Sequence, residues 1–228
     1  MLRYLILLFA TAVLQVSSFL SLRAQSFAET HKGFFKPASL GHTSWCDVNR
    51  DGYADLFLSG FNLVPNDLGG YKDFDHSIIY INDKQGSFTE SGITNIPRLI
   101  YGSSDWGDFN NDGWADVIIT GTISGFASDG QMQLYINNEG TTFTRMNLPI
   151  PEITDGKTVW VDYDNDGWQD LFIIGFDPSG TLISRIFQNQ EGITFRDSEI
   201  EIDVMEAGRT NLSGIDVIVG DFDNDMDR

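Results

Sequence analysis

Three stretches of the chain share the order Asp-x-(Asp/Asn)-x-Asp-Gly-x-x-Asp. They run over residues 47–55, 108–116 and 162–170. A tight loop turns alternate side chains toward one point, so positions 1, 3 and 5 offer oxygens to a shared centre. Glycine at position 6 permits a sharp turn that a Cβ would hinder. A backbone carbonyl at position 7 and a carboxylate at position 9 complete an oxygen shell. Calcium takes six to eight oxygens at about 2.3–2.6 Å. Carboxylates crowded this closely repel one another without a cation among them. The first site is expected to use Asp47, Asn49, Asp51, the Tyr53 carbonyl and Asp55. The second would use Asp108, Asn110, Asp112, the Trp114 carbonyl and Asp116. The third would use Asp162, Asp164, Asp166, the Trp168 carbonyl and Asp170. A fourth loop offers Asp221, Asp223 and Asp225, with Met226 where glycine is expected, and the sequence reaches Arg228 before position 9. Any one such loop could be a solvated turn, because Asp, Asn and Gly favour turns on their own. Three complete copies at regular spacing favour metal. Magnesium fits less well, since it keeps its water and binds few carboxylates. The helical calcium motifs need an acid at position 12, and here that place holds Leu58, Ile119 or Ile173.

The elements that position these loops are themselves repeated. The leading aspartates Asp47, Asp108, Asp162 and Asp221 stand 61, 54 and 59 residues apart. Trp45, Trp106 and Trp160 precede the three complete loops by two residues, and their regular placement predicts burial between repeats. Tyr53, Trp114 and Trp168 at position 7 are expected as half-buried covers. A second pattern reads Tyr80-Ile81-Asn82, Tyr135-Ile136-Asn137 and Ile186-Phe187-Gln188-Asn189, each followed by a Gly-containing turn and then by Phe88, Phe143 or Phe195. Apolar runs joined by such turns read as strands. One unit then holds four antiparallel strands: one before the acidic loop, one after it, one ending near the Asn, and one beginning near the Phe. The expected fold is all-β, a β-propeller of four-stranded antiparallel blades. The blades are placed at 41–98, 102–154, 156–208 and, incompletely, 215–228, about 3.5 in all. Phe27 precedes Asp47 by the same 20 residues that separate Phe88 from Asp108, so residues 25–29 read as a lone last strand of a blade. A lone strand at one end and an unfinished loop at the other suggest a piece of a larger ring.

These motifs resemble the FG-GAP/VCBS repeats, the calcium-loop propellers akin to the head of integrin α subunits. The resemblance covers residues from about Phe27 to Arg228. It implies a propeller of typically seven blades, with the metals on one face in the loop between the first two strands of each blade. The fourth loop departs from the family pattern at Met226.

Composition bounds the partners. Asp and Glu number 33 against 14 Lys and Arg, a formal charge of -19 in 228 residues. A nucleic-acid backbone repels such a chain, and an anionic membrane surface does the same. Cys46 is the single cysteine, so no intrachain disulfide forms. Residues 1–24 read as an export signal: Arg3, then 17 uncharged residues from Tyr4 to Leu20, then Ala24 as a small cleavage-site residue. The uncharged run is shorter than the roughly 20 residues of a spanning helix, so no membrane insertion is expected after cleavage. The mature chain, 25–228, is expected to be secreted, at the cell surface or periplasmic.

No nucleophile, zinc or phosphate motif is present in the sequence. The first functional reading is a calcium-rigidified scaffold for adhesion or binding, with an extracellular protein or glycan on the face opposite the metal loops. Phe61, Tyr71, Lys72, Arg98, Tyr101 and Phe126 are the candidate contacts there. The alternative is the propeller portion of a secreted enzyme, such as a polysaccharide-degrading one, whose catalytic part lies outside this chain.

Overall fold

The computed structural model describes residues 35–36, 38–61, 64–65, 71–72, 77–124, 127–202 and 217. All lie in the compact unit Gly33–Arg228. The export signal, the strand read at Phe27, Phe126, and the fourth loop with Asp221, Asp223 and Asp225 fall outside the described residues. No helix among the described residues is long and apolar enough to cross a membrane.

The chain forms strand after strand. β1 (Ser39–Cys46) and β2 (Asp55–Phe61) flank the first acidic loop. A short pair, β3 (Val64–Pro65) and β4 (Tyr71–Lys72), follows, and then β5 (Ile78–Asn82) and β6 (Phe88–Glu90). The second repeat is β7 (Ser104–Gly107), β8 (Asp116–Thr122), β9 (Gly130–Asn138) and β10 (Thr142–Met146). The third is β11 (Thr154–Val161), β12 (Asp170–Phe176), β13 (Leu182–Asn189) and β14 (Phe195–Glu201). The helical content among the described residues is one 3-10 turn, Ala127–Asp129. Each repeat makes one four-stranded sheet in chain order, β1-β2-β5-β6, β7-β8-β9-β10 and β11-β12-β13-β14. All pairings are antiparallel, as the alternating strands and turns imply.

Register is the same in all three sheets. Trp45 pairs with Leu56, Trp106 with Val117, and Trp160 with Leu171. The next strand brings Tyr80, Tyr135 and Phe187 opposite Leu56, Val117 and Leu171. Asn82, Asn137 and Asn189 sit opposite Phe88, Phe143 and Phe195. Because successive side chains point to opposite faces, this shared register decides which residues meet a neighbouring sheet. Phe57 of the first sheet packs with Val117, Ile119, Tyr135 and Phe143 of the second. On the other face of the second sheet, Ile118 and Leu134 pack with Leu171, Ile173, Phe187 and Phe195 of the third. Where two described sheets meet, the first and third residues after a loop (Val117 and Ile119, Leu171 and Ile173) thus face the preceding sheet, and the second (Phe57, Ile118) faces the following one. Full burial of each such side chain contributes on the order of 1.5–3 kcal/mol.

The tryptophans follow the same rule, which corrects one expectation. Trp160 is 8% exposed and packs against the second sheet, whereas Trp45 is 58% exposed. Trp106 is half-buried, 5.8 Å from Phe57 and 6.1 Å from Phe143 between ring centres. Trp45 occupies the equivalent register, but no described sheet precedes the first one, and among the described residues Phe88 is the ring that meets it, at 6.0 Å.

At the end opposite the acidic loops, backbone bonds run from sheet to sheet. The Tyr101 N–H donates to the Leu40 carbonyl at 2.9 Å, and the Asp155 N–H donates to the Tyr101 carbonyl at 3.0 Å. The glycine after each of these residues lies against the neighbouring strand. A Cβ on Gly102 would fall 1.8 Å from the Thr120 carbonyl oxygen, so no other residue fits there.

Candidate metal centre

Each acidic loop closes a hairpin between the first two strands of a sheet. Cys46 pairs with Asp55, Gly107 with Asp116, and Val161 with Asp170. Inside the hairpin the backbone turns through a left-handed residue at position 4, with φ of 55° at Arg50, 53° at Asn111 and 57° at Asn165. It turns again at the position 6 glycines, with φ between 86° and 88°, a region a side chain disfavours.

The side chains at positions 1, 3 and 5 organise the turn. In the first loop the Asp51 N–H donates to Asp47 Oδ1 at 2.9 Å and to Asn49 Oδ1 at 3.1 Å. Gly52 N–H donates to Asp47 Oδ2 at 2.8 Å, and Tyr53 N–H to Asp51 Oδ1 at 3.0 Å. The second loop repeats these four bonds from Asp112, Gly113 and Trp114 to Asp108, Asn110 and Asp112. The third repeats them from Asp166, Gly167 and Trp168 to Asp162, Asp164 and Asp166. One oxygen from each of Asp162, Asp164 and Asp166 lies within 4.8 Å of the others. In the first two loops Asn49 and Asn110 stand at position 3, which lowers the charge by one while keeping an oxygen.

Position 9 is set apart from this trio. Asp55, Asp116 and Asp170 are fully buried beneath the loops. Their Oδ2 atoms accept the position 2 N–H of Val48, Phe109 and Tyr163 at 3.0, 3.0 and 3.1 Å. Their Oδ1 atoms accept the N–H of Asn82, Asn137 and Asn189 at 2.8, 2.8 and 2.7 Å. Each carboxylate oxygen has a second lone pair, so these bonds leave acceptor capacity. Burial pushes the Asp116 carboxyl up to about 7, the two backbone bonds work against it, and Asp112 and Asp108 add to the rise. The same causes bring Asp170 to about 6 and raise Asp55. Buried acids beside further acids suit a cation, which would favour their ionised forms. The donor set is all oxygen, as a hard cation requires. Burial, with Asp47 and Asp55 beside it, lifts the Cys46 thiol to about 12, which leaves it a packing residue rather than a thiolate.

Position 7 behaves unevenly. Trp114 and Trp168 are half-buried, but Tyr53 is 45% exposed. Lys84 lies 5.6 Å over the Tyr53 ring and 3.4 Å from Asp51 Oδ2, so a cationic side chain already leans on the first loop. Beside the second loop an open cavity of about 560 Å³ is lined by Asn110, Asp112, Trp114, Ile136, Asn138 and Thr141. In the third repeat Gln188 stands where Ile136 does, and its amide bonds Asp164.

Residues 47–119 match the FG-GAP-like repeat family. The matched segment spans the first two acidic loops, and the third reproduces their hydrogen bonds beyond it. No curated protein matches the chain.

The repeats also use a residue whose role the sequence pattern did not disclose. The Asn137 Nδ2 donates to the carbonyl of Ala115 at 3.1 Å in its own repeat and to that of Val48 at 3.0 Å in the repeat before. Its Oδ1 accepts the Gly140 N–H at 2.8 Å. Asn189 does the same with Gln169, Phe109 and Gly192. The recurrence of Tyr-x-Asn was the available signal; the partners lie up to 89 positions away.

Of the candidate contacts opposite the loops, Phe61 and Arg98 come together, the guanidinium 5.3 Å from the ring centre. Tyr101 is 42% exposed. Tyr71 and Lys72 form the edge of the β3–β4 pair.

Proposed function

We propose that this chain is part of a calcium-binding β-propeller that acts as an extracellular scaffold for a protein or glycan partner. The observation that carries the reading is the threefold recurrence of one acidic loop, bond for bond, at the same corner of three sheets packed in one register. Calcium would be held by positions 1, 3, 5, 7 and 9 of each loop: Asp47 to Asp55, Asp108 to Asp116 and Asp162 to Asp170. Asp221, Asp223 and Asp225 would contribute a partial fourth site. The cation would neutralise the converging carboxylates and stiffen the hairpin. The uniform rule for which face meets which neighbour supports blades following one another in a ring. Export by the segment 1–24 places the protein where calcium is available. The Phe61–Arg98 pair and Tyr101 would belong to the partner face.

The test is calorimetric titration of the metal-free chain with calcium and, separately, with magnesium. Binding of three or more calcium ions without comparable magnesium binding supports the reading. No calcium binding overturns it.

A further inference from the structure

We propose that Asn137 and Asn189 are positioning residues that hold the metal loop of the repeat before their own, so that loading of a loop is linked to docking of the sheet that follows it. This rests on the reading of the acidic loops as calcium sites.

Loop position 2 lies between the ligands at positions 1 and 3. Its N–H is tied within its own repeat, to the position 9 carboxylate. Its carbonyl bonds the next repeat, and its side chain packs between its own sheet and the next. The Val48 carbonyl accepts from Asn137, and the Phe109 carbonyl accepts from Asn189. The Val48 side chain is buried among Val117, Ile119, Tyr135 and Phe143 of the second sheet. The Phe109 side chain is buried among Leu171, Phe187 and Phe195 of the third, 5.1 Å from the Phe195 ring. The turn held by each asparagine also presses on position 3. A Cβ on Gly140 would lie 3.0 Å from the Asn49 Cα, and one on Gly192 would lie 2.8 Å from the Asn110 Cα. Positions 2 and 3 of a loop are therefore shaped by the following sheet. Asn82 supplies an internal control. It makes the same bond within its own repeat, to the Ala54 carbonyl at 3.1 Å, and among the described residues none to another repeat. The coupling has a direction: the second sheet sets the first loop, and the third sheet sets the second.

Amide signals of Gly52, Gly113 and Gly167 report the loops separately, because each of these N–H groups donates to a position 1 carboxylate. The full chain, labelled with nitrogen-15, is titrated with calcium and followed by NMR. Asn137→Leu should raise the Gly52 midpoint roughly 3–10-fold, the worth of one hydrogen bond, and move Gly113 less and Gly167 not at all. Asn189→Leu should raise the Gly113 midpoint in the same way and leave Gly52 in place. Asn82→Leu should leave Gly113 and Gly167 unmoved. Should a leucine variant fail to fold, Asn137→Ser and Asn189→Ser carry the same comparison. Shifts confined to the substituted residue's own loop, or equal in all three, overturn the linkage while the calcium reading stands. Glycine signals that ignore calcium in the unsubstituted chain overturn both.

Discussion

The Arg50 guanidinium lies 5.3 Å from the centre of the Trp114 ring, so position 4 of the first acidic loop covers position 7 of the second. The next pair of loops makes the matching contact by other means: Asn111 Nδ2 donates to the Gly167 carbonyl at 3.1 Å. Left-handed backbone at position 4 is what aims both side chains across the gap. An exposed cation–π pair contributes about 0.5–1 kcal/mol. Arg50→Ala should lower unfolding stability by that amount in urea melts with calcium present, and Asn111→Ala by about 0.5–1.5 kcal/mol. The two contacts share no partner, so the double variant should lose close to the sum. A double variant no weaker than either single one would contradict independent bridges.

The three tryptophans before the loops give a sharper contrast. They are equivalent in sequence and in register but not in neighbours. Trp160→Ala removes a ring packed between two sheets and should cost about 3–5 kcal/mol. Trp45→Ala removes a ring that is 58% exposed and should stay within about 1 kcal/mol. Urea unfolding of both variants checks the order. Equal losses would mean that the Trp45 face is covered.

That contrast marks what the sequence could convey. The loops were legible because their chemistry is local: nine residues carry the ligand types, the turn glycine and the spacing. The four-stranded unit was legible because apolar runs and Asn/Gly turns recur with it. The exposure of Trp45 was not, since a side chain's burial depends on which sheet lies opposite, and identical motifs do not record that. Asn137 stood out in Tyr-x-Asn and Asn189 in the matching Phe187-Gln188-Asn189, yet the bonds that give them a role reach another repeat. The glycines at 41, 102 and 156 carry no such mark in the sequence, because only the assembled sheet shows the carbonyl that a Cβ would strike.

Calcium should dominate the stability of the folded chain. A site held at 100 times its dissociation constant adds about 2.7 kcal/mol. A domain of this size gains roughly 2–4 °C per kcal/mol. Three loaded loops should therefore raise the melting midpoint by more than about 10 °C over the value in excess chelator, with magnesium giving far less. Asp166→Ala should remove about a third of the shift, because it takes one of the three converging carboxylates from one loop. A midpoint that is the same in calcium and in chelator would refute metal at all three loops.

The buried position 9 acids give the metal-free protein an unusual pH dependence. Asp116, held near 7 in the folded chain against an ordinary 3.8, keeps its proton across a range where the unfolded chain has lost it. Asp170, near 6, does the same over a narrower range. A raised folded value contributes stability that is full below the ordinary carboxylate range and is lost as pH rises through the folded value. His42 works in the opposite sense. Its ring nitrogens are sealed from solvent without hydrogen-bond partners among the described residues, and burial, with Lys157 nearby, lowers it to about 4. Its contribution is lost as pH falls from 6.5 toward 4, and it is neutral in both states well above that window. Between pH 6.5 and 8.5 the half-charged unfolded ring adds only a small opposing rise at the lower end, and the acids dominate. In chelator, the urea midpoint should fall across this range and level off above about pH 8, and Asp116→Asn should flatten the fall. In saturating calcium the trend should reverse, because the cation needs ionised carboxylates and its binding releases their protons. A chelated protein whose midpoint rises from pH 6.5 to 8.5 would show that these carboxyls are ionised in the folded chain without metal.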